Sequence, residues 1–198
     1  MWSKSAESVC DLIRKGCEKY SDGVMLWGGI TSVGLIPRRA PIYFKKWLTK
    51  HCKSIRKEKA TLDNVIYAHF IEHEVVPVCV RDLEHELSNY AWQDDTDTKH
   101  RTPHVLEKVL EFFPNRLIVE GEAAKLVDVW PIEHVWGIIK EKINGVDFKN
   151  VKELKARINK IWRSITAEDC EKYMTNIPNK LKAVIEIEGE QIFKNDYS

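Results

Sequence analysis

One stretch predicts how this chain folds: Val127-Asp128-Val129-Trp130-Pro131-Ile132-Glu133-His134-Val135-Trp136-Gly137-Ile138-Ile139-Lys140. It predicts a helix that begins at Pro131, because the first N–H of a helix has no partner and proline lacks that N–H. Apolar residues then recur at helical spacing and form one face: Ile132, Val135, Trp136, Ile139 and Ile143. Glu133 lies in the first turn, away from the centre of that face.

Two roles are open for Glu133. A carboxylate in the first turn stabilises a helix, because it interacts with the positive end of the macrodipole and can bond the N–H of the capping residue. The alternative is a metal ligand that the helix start holds rigidly. Spacing alone favours the stabilising role.

Composition limits the class of protein. The chain has 198 residues, 43% of them hydrophobic, which suits one domain with a substantial core. Its net charge of +1 gives no overall sign of nucleic-acid binding. The five Cys include no Cys-x-x-Cys pair, which argues against a disulfide framework or a zinc ribbon and favours reduced, intracellular thiols. We expect neither a signal peptide nor a membrane span, since no apolar run of about 18 residues occurs.

Residues 38–59 carry the strongest local charge, nine basic residues against one acid. Aromatic residues are interleaved with them at Tyr43, Phe44 and Trp47. This mixture suits a phosphate backbone and unpaired bases, but it also suits an amphipathic helix with aromatics packed inward. Both interpretations stay open. The candidate nucleic-acid-binding residues are Arg38, Arg39, Lys45, Lys46, Lys50 and Lys53.

A short apolar run bounded by glycines predicts a buried strand over residues 23–31. Residues 62–74 predict a helix that the segment around Pro77 ends. That helix carries His69 and His73 in the order H-x-x-E-H, a pattern known from zinc sites. No third ligand follows on a second helix, so two half-buried packing histidines are favoured.

Acidic residues follow an aromatic strand of four or five residues in the stretch that begins at Asn89. Asp94, Asp95 and Asp97 lie within four residues and repel one another unless a cation or a basic group offsets their charge. The alternative is a capped turn, because Asp and Thr are common turn formers. A helix over residues 103–113 and a short strand over residues 116–119 follow.

The C-terminal part predicts further helices. Asn144-Gly145 makes a turn, and apolar residues then recur every three or four positions over residues 151–165. Thr166 and Asp169 cap another helix, and residues 177–180 break it.

Three stretches, in this order, resemble the catalytic domain of the mariner-type cut-and-paste transposases. Residues 24–30 resemble the family's hydrophobic strand that ends in Trp-Gly. Residues 93–100 resemble its Gln-Asp-Asn motif followed by Lys-His, and residues 128–137 its Asp-x-Asn-Pro-Ile-Glu-x-x-Trp-Gly motif. The tail from residue 177 to residue 189 resembles the family's C-terminal end, so the resemblance covers roughly residues 20–195.

The resemblance implies an α/β, ribonuclease-H-like fold, a mixed sheet flanked by helices. It implies DNA as partner, through transposon ends, with metal-dependent DNA cleavage and strand transfer, a nuclear location and no membrane contact. A homodimer is compatible with it. It also implies three carboxylates that hold two Mg²⁺ or Mn²⁺ ions about 4 Å apart, which suits phosphodiester chemistry.

By position in the motifs, Asp94 corresponds to the second carboxylate and Glu133 to the third. Asp95 is the less favoured alternative to Asp94, because Asp94 directly follows Gln93. No residue of this chain corresponds to the first carboxylate, since neither Asp11 nor Asp22 ends an apolar strand.

We therefore expect a transposase catalytic domain that is truncated at its N-terminus and inactive alone. Its divisions would be a hairpin remnant (1–22), a core (23–143) and a helical C-terminal part with a tail (144–198). Trp130 and Asp95 each replace an Asn of the family motifs. The alternative is a non-enzymatic, domesticated fragment that binds nucleic acid or a protein partner.

Overall fold

The computed structural model describes residues 23–54, 62–83, 86–94, 97–117 and 129–188, and over these ranges the fold is mixed α/β and rich in helix. The strands are β1 (Leu26–Trp27), β2 (Gly29–Thr31), β3 (Gly34–Ile36), β4 (Ile42–Tyr43), β5 (Ala91–Trp92) and β6 (Asn115–Arg116). The helices are α1 (Phe44–Ser54), α2 (Asn64–Phe70), α3 (Val76–Asp82), α4 (Pro103–Phe112), α5 (Pro131–Ile143), α6 (Val151–Ser164), α7 (Ala167–Thr175) and α8 (Ile177–Glu186). A π-helical turn (Ile71–Val75) joins α2 to α3, and a 3-10 turn (Leu87–Asn89) precedes β5. None of the helices in these ranges has the length and apolar character that crossing a bilayer requires.

Strands β1 to β4 form one interrupted hairpin. β2 pairs antiparallel with β3, and β1 pairs antiparallel with β4. Between the two ladders, the five residues 37–41 lie opposite the single residue Gly28. The predicted strand over residues 23–31 is confirmed from Leu26 onward, with a break at Gly28.

Each face of the hairpin packs against a different hydrophobic core. Successive side chains of a strand point to opposite sides, so Ile36 enters one core and Leu35 the other. The first core contains residues of α1 to α4, among them Phe70 and Val109, and the second contains residues of α5 to α7, among them Trp162. Helices therefore cover each face of the hairpin, the layered arrangement expected of a mixed α/β chain.

Strands β5 and β6 form a separate parallel pair, with Trp92 opposite Arg116, and the chain between them contains α4. The second strand begins at Asn115, one residue earlier than predicted, and residues 118 and 119 lie outside the described ranges. Over the described residues the strands form two-stranded ladders. The single central sheet of a ribonuclease-H-like fold stays a prediction.

The prediction that the segment around Pro77 ends a helix is wrong. The helix passes through the π-helical turn, and α3 continues to Asp82 with Pro77 in its first turn. The N–H of Val76 bonds the carbonyl of Ile71, five residues back. The missing N–H of Pro77 thus falls where the backbone hydrogen bonds change from the π-helical to the α-helical pattern, so the helix tolerates the proline.

The helix predictions from periodicity and caps are confirmed in the C-terminal half. α5 begins at Pro131 and buries Val135 and Ile139. α6 buries Ile158, Ile161 and Trp162, three members of its predicted apolar face. Thr166 and Asp169 form a reciprocal capping box at the start of α7. Thr166 is the N-cap residue and Asp169 occupies the third helical position. The predicted end of α7 is confirmed, because α7 stops at Thr175. Residues 177–180 do not form a break, since they are the first turn of α8, which continues to Glu186.

Candidate metal and nucleic-acid sites

Asp94 lies directly after β5 and is held from two sides. Its Oδ1 accepts a hydrogen bond from Nη2 of Arg116 at 2.7 Å, and its Oδ2 accepts one from the indole N–H of Trp92 at 2.9 Å. The side chains of Asp94 and Arg116 are only 8% and 4% exposed. A guanidinium therefore offsets this carboxylate, while each of its oxygens keeps a further lone pair.

Sequence reasoning missed Arg116. The available signal was its position in a predicted strand that follows the strand carrying Asp94. Because the two strands pair in parallel, residues at their carboxyl ends meet at one edge, which brings Arg116 to Asp94 across 22 positions of sequence.

Asp97 forms the turn that was the alternative for this segment. Its Oδ1 accepts a hydrogen bond from the backbone N–H of Lys99 at 2.9 Å, and the Lys99 ammonium lies 3.4 Å from the same carboxylate. The backbone hydrogen bond from Lys99 is the main cause that lowers the pKa of Asp97. Asp95 lies outside the described residues.

Glu133 occupies the third position of α5 and is half-buried. Its backbone N–H donates to the carbonyl of Trp130 at 3.1 Å. Within the described ranges its carboxylate forms no hydrogen bond or ion pair with another residue, so the predicted bond to the capping N–H is not made there. The carboxylate still lies at the positive end of the helix dipole.

Asp94 and Glu133 alone do not make a two-metal donor set. Among the described residues, no three His, Cys, Asp or Glu side chains gather in a way that could hold a metal ion. Asp11, Asp22, Asp95 and Asp128 lie outside those ranges.

His69 and His73 stack instead of converging. Their ring centroids are 3.8 Å apart and the planes differ by 4°. Nitrogen lone pairs lie in the ring plane, so two parallel rings direct them side by side and not at one ion. His51 of α1 packs against His69 at 4.3 Å. The prediction of two half-buried packing histidines is confirmed for His69, whereas His73 stacks on it but is exposed.

Two of the motifs behind the family resemblance pack against each other. A Cβ atom on Gly28 would overlap the indole of Trp162 and would lie 3.1 Å from that of Trp136. Trp162 is fully buried, and its indole N–H donates to the carbonyl of Pro37 at 2.7 Å. The hairpin therefore requires glycine at position 28, where α5 and α6 approach its backbone.

The predicted basic residues divide into two groups. Arg38 and Arg39 lie in the 37–41 segment, and the backbone N–H of Arg38 donates to Asp82 at 2.9 Å. The other four line a cleft of about 500 Å³ beside α1: Lys45, Lys46, Lys50 and Lys53. Phe44 is buried and Trp47 is half-buried against Phe70, so these aromatics pack inward as the amphipathic interpretation expects.

Comparison with known proteins gives transposases as relatives, while no family model matches the chain. The chain is 24% identical over 172 residues to the Tcb1 transposase of Caenorhabditis briggsae, covering 86% of this chain and 55% of that protein. It is 22% identical over 186 residues to the Tc1 transposase of Caenorhabditis elegans, covering 93% and 58%. The Tcb2 transposase of Caenorhabditis briggsae is 21% identical over 173 residues, covering 86% and 55%. The chain thus spans little more than half the length of these relatives, and over most of its own length it is similar to transposases of transposable elements.

Proposed function

We propose that this chain is a transposase-type domain of the Tc1/mariner group that acts on DNA. One observation carries the proposal: the similarity to three transposases extends over 86% to 93% of the chain. The contact between Gly28 and Trp136 supports it, because these residues belong to two separate motifs that carry the resemblance. Action on chromosomal DNA would place the protein in the nucleus.

For the metal, the proposed ligands are Asp94 and Glu133, with Asp95 as the alternative to Asp94. Mg²⁺ or Mn²⁺ bound there would activate a water or a 3′-OH and stabilise the leaving oxygen of a phosphodiester. The Glu133 carboxylate, which has no hydrogen-bond or ion-pair partner among the described residues, lies in the first turn of a helix, and this supports its part in the set. Arg116 and Trp92 would orient the Asp94 carboxylate.

We expect the chain alone to cleave DNA poorly. Two described carboxylates are fewer than the three that a two-metal site of this kind needs, and Asp94 is already paired with Arg116. The test incubates the full chain with Mn²⁺ and duplex DNA carrying transposon ends, next to the Glu133→Gln variant. The expected result is no cleavage above that of the variant.

A matched control is Glu141→Gln, because Glu141 is exposed on the same helix. Clear cleavage by the unmodified chain that is lost in Glu133→Gln and kept in Glu141→Gln would overturn the expected inactivity and establish the enzyme.

The second candidate is a non-enzymatic fragment that binds DNA. The observation that favours it is the combination of a nearly buried Asp94–Arg116 pair with exposed lysines on α1. In the same reactions, DNA retained by the protein without cleavage would support this candidate. A chain that neither cleaves nor retains DNA would contradict both candidates.

A further inference from the structure

The cleft beside α1 brings together lysines from two distant parts of the chain. Lys155 of α6 lines a cleft of about 500 Å³ together with four lysines of α1: Lys45, Lys46, Lys50 and Lys53. None of the described residues that line this cleft is acidic. Five ammonium groups around one space repel one another and make the electrostatic potential there positive. An anion that enters the cleft is attracted by all five and reduces their repulsion.

Contacts between Tyr43 of β4 and helix α6 fix the position of Lys155 at the cleft. The hydroxyl of Tyr43 in β4 donates to the Asn159 side chain at 2.8 Å and contacts the Lys155 carbonyl at 3.0 Å. The Lys155 ammonium lies 4.7 Å from the centre of the Tyr43 ring, a cation–π contact. Burial raises the pKa of the Tyr43 hydroxyl to about 12, which agrees with its position between α6 and β4. These contacts connect α6 to β4 and hold Lys155 at the cleft.

The row of lysines on α1 has the dimensions of a phosphate backbone. Lys46, Lys50 and Lys53 are four and three residues apart, which places them along one face of the helix. Seven residues of helix rise about 10 Å, and the phosphates of one DNA strand advance about 3.4 Å each along the axis. The row therefore spans about three phosphate steps. Lysine suits this contact, because its ammonium is a mobile point charge with three donors.

We propose that the cleft between α1 and α6 binds the phosphodiester backbone of duplex DNA and that Lys155 is one of its contacts. The occupant rests on the proposed function, since DNA is the anion on which a transposase-type domain acts. Contacts of this kind carry no base sequence, so the cleft positions the duplex and does not select its sequence.

The test measures the affinity of the full chain for a short fluorescent duplex at several salt concentrations. Each phosphate contact contributes about −0.9 to the slope of log K against log salt. We expect Lys50→Gln and Lys155→Gln each to reduce the steepness of that slope by about 0.9. Lys155→Arg restores it, because arginine keeps the charge. The matched control is Lys160→Gln, an exposed lysine of the same helix outside the cleft, which leaves the slope unchanged.

Each other outcome has one meaning. If the unmodified chain binds the duplex and both glutamine variants keep its slope, the cleft is not the site, while the proposed function stands. If the unmodified chain binds no duplex at low salt, the proposed function fails as well. If polyglutamate of equal charge displaces the duplex as well as unlabelled duplex does, the site accepts any polyanion and the assignment to DNA is overturned.

Discussion

At the scale of single residues, the ion pair of Asp94 with Arg116 lies at the carboxyl ends of the parallel strands β5 and β6. Two charges that are almost out of contact with water are costly to bury, and their attraction offsets that cost only when both are present and hydrogen-bonded. The Trp92 indole satisfies the second oxygen of Asp94. The same carboxylate is thus a structural group in its own right, besides its proposed role at a metal.

Asp94→Asn tests that structural role. The amide keeps the shape of the side chain but leaves the Arg116 guanidinium buried without a counter-charge. We expect the free energy of unfolding to fall by about 3 kcal/mol, measured by urea denaturation. The control is Asp97→Asn, where an exposed side chain can still accept from Lys99 and the change stays within about 0.5 kcal/mol. Equal, small effects of the two substitutions would contradict the structural role of the pair.

At the scale of elements, the hairpin and helices α5 and α6 meet at Gly28. The two indoles there are 5.5 Å apart at their centroids, and the Trp162 ring is held by its bond to Pro37. A side chain at position 28 would therefore overlap these indoles, and the close packing around them makes a shift of either ring energetically unfavourable.

Gly28→Ala should lower the free energy of unfolding by about 1–3 kcal/mol, because the added methyl group forces a shift in a packed core. Gly137→Ala is the matched control within the same motifs. No atom of a described residue lies within 4 Å of a Cβ at that position, and alanine favours the helix, so we expect a gain of about 0.5–1 kcal/mol. Urea midpoints of the two variants that move in the same direction would contradict this account.

His51 of α1 packs against His69 of α2, and this contact is favoured when the His69 ring is neutral. Burial, followed by the charges of His73 and His51, lowers the pKa of His69, whereas Glu72 acts in the opposite direction. The Nδ1 atom of His69 is buried and has no hydrogen-bond partner within the ranges that the structure describes. The unfolded chain therefore takes up this proton at a higher pH than the folded one. The stability that the neutral ring contributes is present above the ordinary pKa of about 6.5 and is lost as the pH falls below it.

The urea midpoint should accordingly decrease between about pH 7.5 and about pH 5.5, and His69→Gln should show a smaller decrease. His134 contributes in the same direction, because burial and then the charge of Lys180 lower its pKa. His104→Gln, on the exposed side of α4, serves as the control that keeps the full decrease. A decrease that His69→Gln leaves intact would assign the acid sensitivity to other groups.

At the scale of the whole molecule, the hairpin joins two cores that carry different parts of the proposed machinery. Asp94 and the lysines of α1 belong to elements that pack in or beside the first core, and Glu133 and Lys155 belong to helices of the second. The hydrogen bonds of Tyr43 to α6 cross from one side to the other. Any DNA held in the cleft would therefore contact both halves of the molecule.

Much of the candidate site could be predicted because it rests on local patterns. Asp94 follows a strand and Glu133 lies in the first turn of a helix, as the residues around each indicate. The partner of Asp94 could not be predicted without the pairing of β5 with β6. Lys155 had no local signal either, since it is one lysine among several on a polar helix and only the contact of α6 with Tyr43 places it at the cleft.

The sequence by itself determined helices α5, α6 and α7 and the apolar strand that Gly28 interrupts, because caps, turns and apolar spacing act over a few neighbouring residues. The tertiary structure alone decided three other features: the passage of a helix through Pro77, the pairing of Asp94 with Arg116, and the lysine cleft between α1 and α6. Each of them depends on contacts or hydrogen-bond registers that neighbouring residues do not specify. The burial and the charge of these groups therefore depend on residues that are far apart in the chain.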